Sequence, residues 1–347
     1  MAVFDHALLI AQLQRRWRFG DWLAAAWSAE RDALRVLMVE RHAYLRACRE
    51  RPELWSSGRF RDGRDFRHLQ RRFGDDAAIV QVVLVGRLDA SLIERMEDIV
   101  GRFSIALHRR RAVALVDLVG FSKLEPMVQL VRLAGLEQAL CRAEMALGQS
   151  GLRFVPTRTT TGDGFYLWDD VGCESEEAIL LALVLLTFAF FDDGGRRDGY
   201  RASDLKACLG IGACFNLHRV EQMEPQRDTF IVGAVTIELA RLMQACRPGR
   251  IFLGLGHHER WLSTWVDAVA RGNRHLTAAA RFAGRTTQGE ISSAGDGSED
   301  RRPTEYEIRA KHGMCYTALH VEGQVRTPDG VIACRFGRET TSDQYAA

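Results

Sequence analysis

The stretch Val116-Asp117-Leu118-Val119-Gly120-Phe121-Ser122 decides how the chain is read. It ends a short apolar, β-branched run over 112–118, the pattern of a buried strand. After a glycine turn, a helix is expected over about 124–147. An acidic residue at the end of a buried strand, followed by such a turn, sets a carboxylate beside the exposed N–H groups of a helix start. Carboxylate oxygens are hard ligands suited to Mg²⁺ or Mn²⁺, and the N–H groups suit phosphate oxygens. Taken alone, the same pattern fits Asp117 as a simple helix cap.

Working outward, strands and helices alternate. A strand pair is expected around 153–168, an apolar helix over 176–191, and strands at 205–217 and 229–232. A helix over 235–245 and a strand over 250–255 follow, with closing strands at 306–309 and 315–321. This alternation implies an α/β or α+β sandwich with helices packed on a sheet. Residues 285–303, rich in Ser, Gly, Asp and Glu, read as a flexible loop, and 326–347 as a C-terminal tail. Upstream, Leu8, Leu9, Ile10, Leu13 and Trp17, then Leu34, Leu37, Met38 and Leu45, recur at helical spacing. Two helices are therefore expected before residue 55. A third follows over 89–108, capped by Asp89 or Ser91, so that residues 1–108 form an N-terminal helical extension to a domain over 109–325.

Composition narrows the class. Hydrophobic residues make up 47% of the 347 and charged residues 27%, enough apolar material for a large core. The net charge of +2, with both signs interspersed, gives no footprint for a nucleic-acid partner. The apolar run 178–191 is shorter than the roughly 20 residues a membrane span needs, and acidic residues flank it, so a core helix is expected. The eight cysteines form no C-x-x-C pair and imply neither a zinc site nor a disulfide framework. Reduced thiols in a cytoplasmic protein are the expectation. Only three lysines occur, Lys123, Lys206 and Lys311, against a large excess of arginine. A lysine retained in such a sequence is worth following for its compact charge.

Two further motifs carry chemistry. In Thr159-Thr160-Thr161-Gly162-Asp163-Gly164-Phe165-Tyr166, two glycines flank an aspartate, as a tight hairpin tip requires. In Val232-Gly233-Ala234-Val235-Thr236-Ile237-Glu238-Leu239-Ala240-Arg241-Leu242, a strand turns at glycine into a helix carrying Arg241. A Pro248-Gly249 turn and another apolar strand follow it. Individually these read as an ordinary turn and a surface arginine.

In this order and spacing, the three motifs resemble the catalytic domain of class III adenylate and guanylate cyclases over roughly residues 111–325. The resemblance implies a ferredoxin-like βαββαβ core. It implies that Asp117 and Asp163, with the Leu118 carbonyl, bind two divalent metal ions, Mn²⁺ or Mg²⁺. It makes Arg241 the group that stabilises the transition state, and it places Phe121 and Lys311 at the nucleoside triphosphate. In that family the metal carboxylates and the arginine of one site come from opposite subunits, so a homodimer with shared sites is implied.

The base-reading positions depart from the family. Where adenylate cyclases carry a lysine and guanylate cyclases a glutamate, this chain has Thr159, beside Arg158. Phe230 stands at the second specificity position. Ile237 replaces the ribose-positioning asparagine, with Thr236 adjacent as a substitute. A site that loses a polar group pairing with the purine edge loses discrimination for it. These departures resemble the pyrimidine cyclases of bacterial Pycsar anti-phage systems, which implies UTP as substrate and a cyclic UMP product acting on a separate effector protein. Two other readings stay open, a cytidylate or adenylate cyclase with an unusual pocket and an inactive cyclase-fold nucleotide-binding regulator.

Overall fold

The structure, a computed structural model, describes residues 3–17, 20–30, 32–51, 54, 58–86, 88–152, 154, 156–169, 175–195, 199–218, 229–255, 260–282, 289–290, 305–309, 315–321, 324–327 and 330–333. The chain divides into two compact units. One is Met1–Arg109 with Phe215–Val232; the other is Arg110–Cys214 with Gly233–Ala347.

The first unit is built on an antiparallel sheet, not on helices alone. Strands β1 (Val3–Phe4), β2 (Trp22–Glu30), β3 (Ala33–Glu40) and β4 (Ala77–Val85) lie in the order β1-β4-β3-β2. Helix α1 (His6–Trp17) forms as its spacing predicts, and α2 spans Arg41–Glu50. The expected helix through Leu34, Leu37 and Met38 is instead β3, paired on both sides by β2 and β4. Both faces of this inner strand are covered. Leu34, Val36 and Met38 pack into one core with Leu9, Leu13, Val82 and Met96. Leu37 and Val39 pack into another with Tyr44, Phe66 and Phe73. A strand buried on both faces loses its period-2 alternation, so its residues match helical spacing by accident. Helix α3 (Gly63–Phe73) is capped by Asp62, whose carboxylate accepts from Arg64 N and Asp65 N at 2.9 and 2.8 Å. Helix α4 (Ala90–Arg102) is capped by Asp89, which accepts from Leu92 N at 2.8 Å. It ends earlier than expected, because the chain enters strand β5 (Ile105–Leu118).

In the second unit the chain runs β5, α5 (Pro126–Gln149), β6 (Pro156–Thr160), β7 (Gly164–Asp169), α6 (Glu176–Gly195) and β8 (Leu205–His218). Then come β9 (Thr229–Gly233), which like the start of β5 and the end of β8 falls in the first unit except for Gly233, and α7 (Ala234–Ala245), β10 (Ile251–Gly254) and α8 (Arg260–Phe282). A small strand β11 (Gly289–Glu290) precedes β12 (Glu305–Arg309) and β13 (Cys315–Val321). The sheet order is β12-β13-β10-β8-β5-β7-β6, with β9 also pairing β8. Helix α8 has no motif to announce it; only the spacing of buried Trp265, Ala268, Val269, Leu276 and Ala279 does. The expected tail contains β14 (Gln324–Thr327) and β15 (Gly330–Ala333), which form a three-stranded sheet with β11. The expected loop 285–303 lies outside the described residues except at β11.

Face assignment follows from the core. Ala112, Ala114, Val116 and Leu118 of β5 pack with Leu205, Ala207, Leu209 and Ile211 of β8 and Ile251 and Leu253 of β10. They meet residues of α5, α6 and α8 on one side of the sheet. Helix α6 is apolar around its whole circumference. It is long and apolar enough to cross a membrane by composition, yet 78% of that apolar window is buried inside the fold. It is a core helix, as its acidic flanks suggested. Helix α7 covers the opposite side of the sheet, where a side chain on Gly210 would meet Val235 and Leu239 at 3.2 Å.

Candidate functional site

Strand alternation sends every second residue to the α7 side of the sheet. On β5 these are Val113, Leu115 and Asp117; on β8 they include Lys206, Cys208 and Gly210. Asp117 therefore emerges at the end of β5 on the side away from the main core.

The hairpin β6–β7 carries Asp163 to the same place. Asp117 pairs with Gly164 across the antiparallel β5–β7 ladder, and Leu118 N donates to Asp163 O at 3.0 Å. The approach is tight enough that only glycine fits at 164, since a Cβ there would lie 2.0 Å from Val116 O. Gly162 takes the left-handed conformation (φ +99°) that the turn demands. The tip is pinned by Thr161 N to Gly164 O at 2.9 Å and Gly162 N to Thr160 Oγ1 at 3.0 Å. Thr161 Oγ1 donates to Asp163 Oδ1 at 3.2 Å. The next turn is anchored by Val119 N donating to Asp204 O at 2.8 Å.

The two carboxyl groups interact directly. Burial, and then the nearby Asp163 charge, push Asp117 from an ordinary 3.8 up to about 6, while Lys206 pulls it the other way. Lys206 Nζ lies 3.2 Å from Asp117 Oδ2, and both side chains are largely shielded from solvent. The same ammonium donates to Met243 O, in the last turn of α7, at 3.2 Å. Two neighbouring carboxylates, one of them holding a cation, form a donor set of the kind hard divalent ions take. Asp117 and Asp163, with the adjacent backbone, thus fit the metal role.

Helix α7 carries the third motif. Val235, Leu239 and Leu242 face inward, while Ile237, Ala240, Arg241 and Gln244 form a row at i, i+3, i+4, i+7, with Arg241 partly exposed. Tyr166 of β7 reaches this helix, donating from its hydroxyl to Thr236 O at 3.1 Å. Thr236 Oγ1 donates to Gly233 O at 2.9 Å and accepts from Gly233 N at 3.3 Å, so the hydroxyl is committed to its own helix turn. The proposed ribose contact would have to break that cap.

The base-reading candidates separate. Arg158 points to the α5 side, where its guanidinium bonds Glu144 at 2.6 Å and also Glu137. It is held by two carboxylates of α5 and is not free to read a base. Thr159 is one residue on and so on the other face, directly paired with Tyr166. Phe121 packs against the core beside α5. Phe230 lies on β9 and is 45% exposed. Lys311 lies outside the described residues. Lys206 and Tyr166 were not singled out by motif. Lysine scarcity is the one sequence signal for Lys206; Tyr166 closes the hairpin motif, but nothing in the sequence gives it a role.

A separate group, Glu40, His42 and Asp76 in the first unit, brings three ligand atoms within 4.8 Å of one another. Arg46 sits 3.7 Å from Asp76 there.

No family model matches the chain, and no curated protein matches it. Among solved structures, the chain is similar to the guanylyl cyclase Cya2 at 12% identity, over 61% of this chain and 91% of that one, with a TM-score of 0.39. It is similar to the adenylyl cyclase CyaB from P. aeruginosa at 14% identity, over 63% and 96%, with a TM-score of 0.35. A third is a class III adenylyl cyclase-like ATP-binding protein from Pseudomonas aeruginosa, at 11% identity over 53% and 41%, with a TM-score of 0.34.

Proposed function

We propose that the chain is a nucleotidyl cyclase whose catalytic domain spans about 109–325. The single observation carrying this reading is the convergence of Asp117 and Asp163, from two separate motifs, on one end of the sheet. The order β8-β5-β7-β6, over the chain segment β5–α5–β6–β7–α6–β8, supports a ferredoxin-like βαββαβ core.

In the proposed reaction the ribose 3′-oxygen attacks the α-phosphorus of the same nucleotide. The new P–O bond closes the 3′,5′ ring, the bond to the β-phosphate oxygen breaks, and the 3′-hydroxyl proton passes to water as diphosphate leaves. Asp117 and Asp163, with the Leu118 carbonyl, would hold two divalent ions, which when bound lower the pKa of the 3′-hydroxyl and neutralise the triphosphate. Arg241 would place its planar cation on the α-phosphate as charge builds there. With Arg241 in the exposed row of α7, the site is completed by a second copy of the chain in a homodimer.

We assign UTP as the substrate. Thr159 offers a short hydroxyl where a purine-reading lysine or glutamate would stand. Arg158 is withdrawn to α5, so the pocket has no long charged group at this position. The resemblance to Pycsar cyclases adds a messenger role in anti-phage defence, with the first unit as structural support. Incubating the pure protein with Mn²⁺ and each of ATP, GTP, CTP and UTP tests the proposal. Cyclic UMP as the main product supports it. Cyclic AMP as sole product would sink the pyrimidine assignment, and no product from any substrate, with wild type and Asp117→Ala alike, favours the inactive regulator.

A further inference from the structure

We propose that Lys206 is an internal counter-cation for the metal site, a positioning residue that occupies Asp117 until a metal arrives and makes metal binding depend on the nucleotide. This rests on the cyclase reading of Asp117 and Asp163. Three observations carry it. The ammonium sits 3.2 Å from Asp117 Oδ2, on the carboxylate that a metal would take. It reaches that position from β8, whose alternation puts Leu205 and Ala207 in the core and Lys206 on the carboxylate side. And it has a second anchor, Met243 O at 3.2 Å.

The second anchor matters. Met243 belongs to the last turn of α7, where carbonyls lack intrahelical partners and the helix end favours cations. A lysine has a flexible four-carbon stem and a compact charge. It can leave Asp117 and stay bound at Met243 O without being stranded. Arginine, with a bulky planar fork, would not make that short move, which gives a physical reason for lysine in a sequence so rich in arginine.

The consequence is a threshold. A bare divalent ion must displace the ammonium from Asp117 and then sit beside its charge. A triphosphate arriving with the ion brings the negative charge that offsets Lys206. Metal alone should therefore bind weakly, and removing the lysine charge should strengthen that binding.

Mn²⁺ alone is the probe, with free ion counted by electron paramagnetic resonance in the absence of nucleotide. The proteins are wild type, Lys206→Met, Lys206→Gln, Lys206→Arg and Asp117→Ala. Gln keeps a donor for Met243 O and serves if the Met variant fails to fold, as monitored by circular dichroism. The expected result is at least tenfold tighter Mn²⁺ binding by the folded neutral variants, with Lys206→Arg no tighter than wild type. Equal or weaker binding by the neutral variants overturns the proposal. If Asp117→Ala binds Mn²⁺ as well as wild type, the metal reading of Asp117 fails instead; if it binds less while the neutral variants match wild type, only the role of Lys206 falls.

Discussion

Replacing Asp117 by Asn should make the metal-free protein more stable at neutral pH while abolishing its activity. Asp117 titrates near 6 in the folded chain, against 3.8 ordinarily, with burial as the first cause and Asp163 as the second. A raised acid binds its proton more tightly in the folded state than in the unfolded one. Stability therefore falls as pH rises from about 4 through about 6, and stays low above that. The full shift would correspond to at most about 3 kcal/mol. The carboxylate keeps 14% of its exposure and lies at the rim of the sheet, so solvent screening reduces this to about 1–2 kcal/mol. Asn is nearly the shape of protonated Asp and never ionises, so it removes this penalty.

Melts of both proteins in a chelator, at several pH values between about 4 and about 8, read the effect directly. The gain from Asp117→Asn should be largest near the top of that range, shrink as pH falls through about 6 toward about 4, and disappear only below the ordinary 3.8, where Asp117 is protonated in both states. A gain equal at every pH would show that ionisation is not its source. A loss of stability at high pH would show that the carboxylate is satisfied in the metal-free protein, and would refute the picture of a site strained toward a cation. Adding Mn²⁺ together with a nucleoside triphosphate, at concentrations well above their dissociation constants, should reverse the ranking, because the wild type gains more from binding.

The remaining expectations concern neighbouring parts. Gly164→Ala drives a Cβ to 2.0 Å from Val116 O, so the β5–β7 ladder must part at Asp117; a loss of about 2–4 kcal/mol in denaturant melts and of Mn²⁺ binding is expected. Tyr166→Phe removes the bond to Thr236 O and should cost about 1 kcal/mol in the same melts, without loss of Mn²⁺ affinity. Arg241→Ala should lower kcat by about 10²–10³-fold while leaving Mn²⁺ binding intact. Mixing inactive Asp117→Asn and Arg241→Ala chains should restore about a quarter of wild-type activity if each site takes its aspartates and its arginine from different copies; no recovery after verified subunit exchange would count against a shared site.

Much of the second unit was legible because its motifs sit where element types change. A glycine turn after an apolar run marks the end of β5, and Gly162 and Gly164 mark the hairpin tip through a backbone that other residues would obstruct. The first unit was harder. β3 is apolar on both faces, so its Leu34, Leu37 and Met38 mimic a helix stripe; only its pairing with β2 and β4 identifies it. The pairing of Lys206 with Asp117 was not legible at all. It needs β8 and β5 to be neighbours, a fact of topology that no local pattern contains.

Arg158 and Thr159 show what the sheet adds to a motif. In the sequence they are adjacent polar residues, equally plausible as contacts to a base. A strand sends neighbours to opposite faces, so at most one of them can serve a site on a given side. Leu167, directly opposite Arg158, lies in the main core, which fixes Arg158 on the α5 side before any of its contacts are considered. Glu137 and Glu144 then explain how an arginine is tolerated there. Tyr166, opposite Thr159, reaches α7, the helix that carries Arg241. The face that holds Asp117 is thus also the face of Thr159, and under the proposed cyclase reading base recognition on this side of the sheet would fall to a short hydroxyl and a tyrosine ring. A substrate read there should be chosen by shape and a single polar contact, not by a charged partner at the base edge.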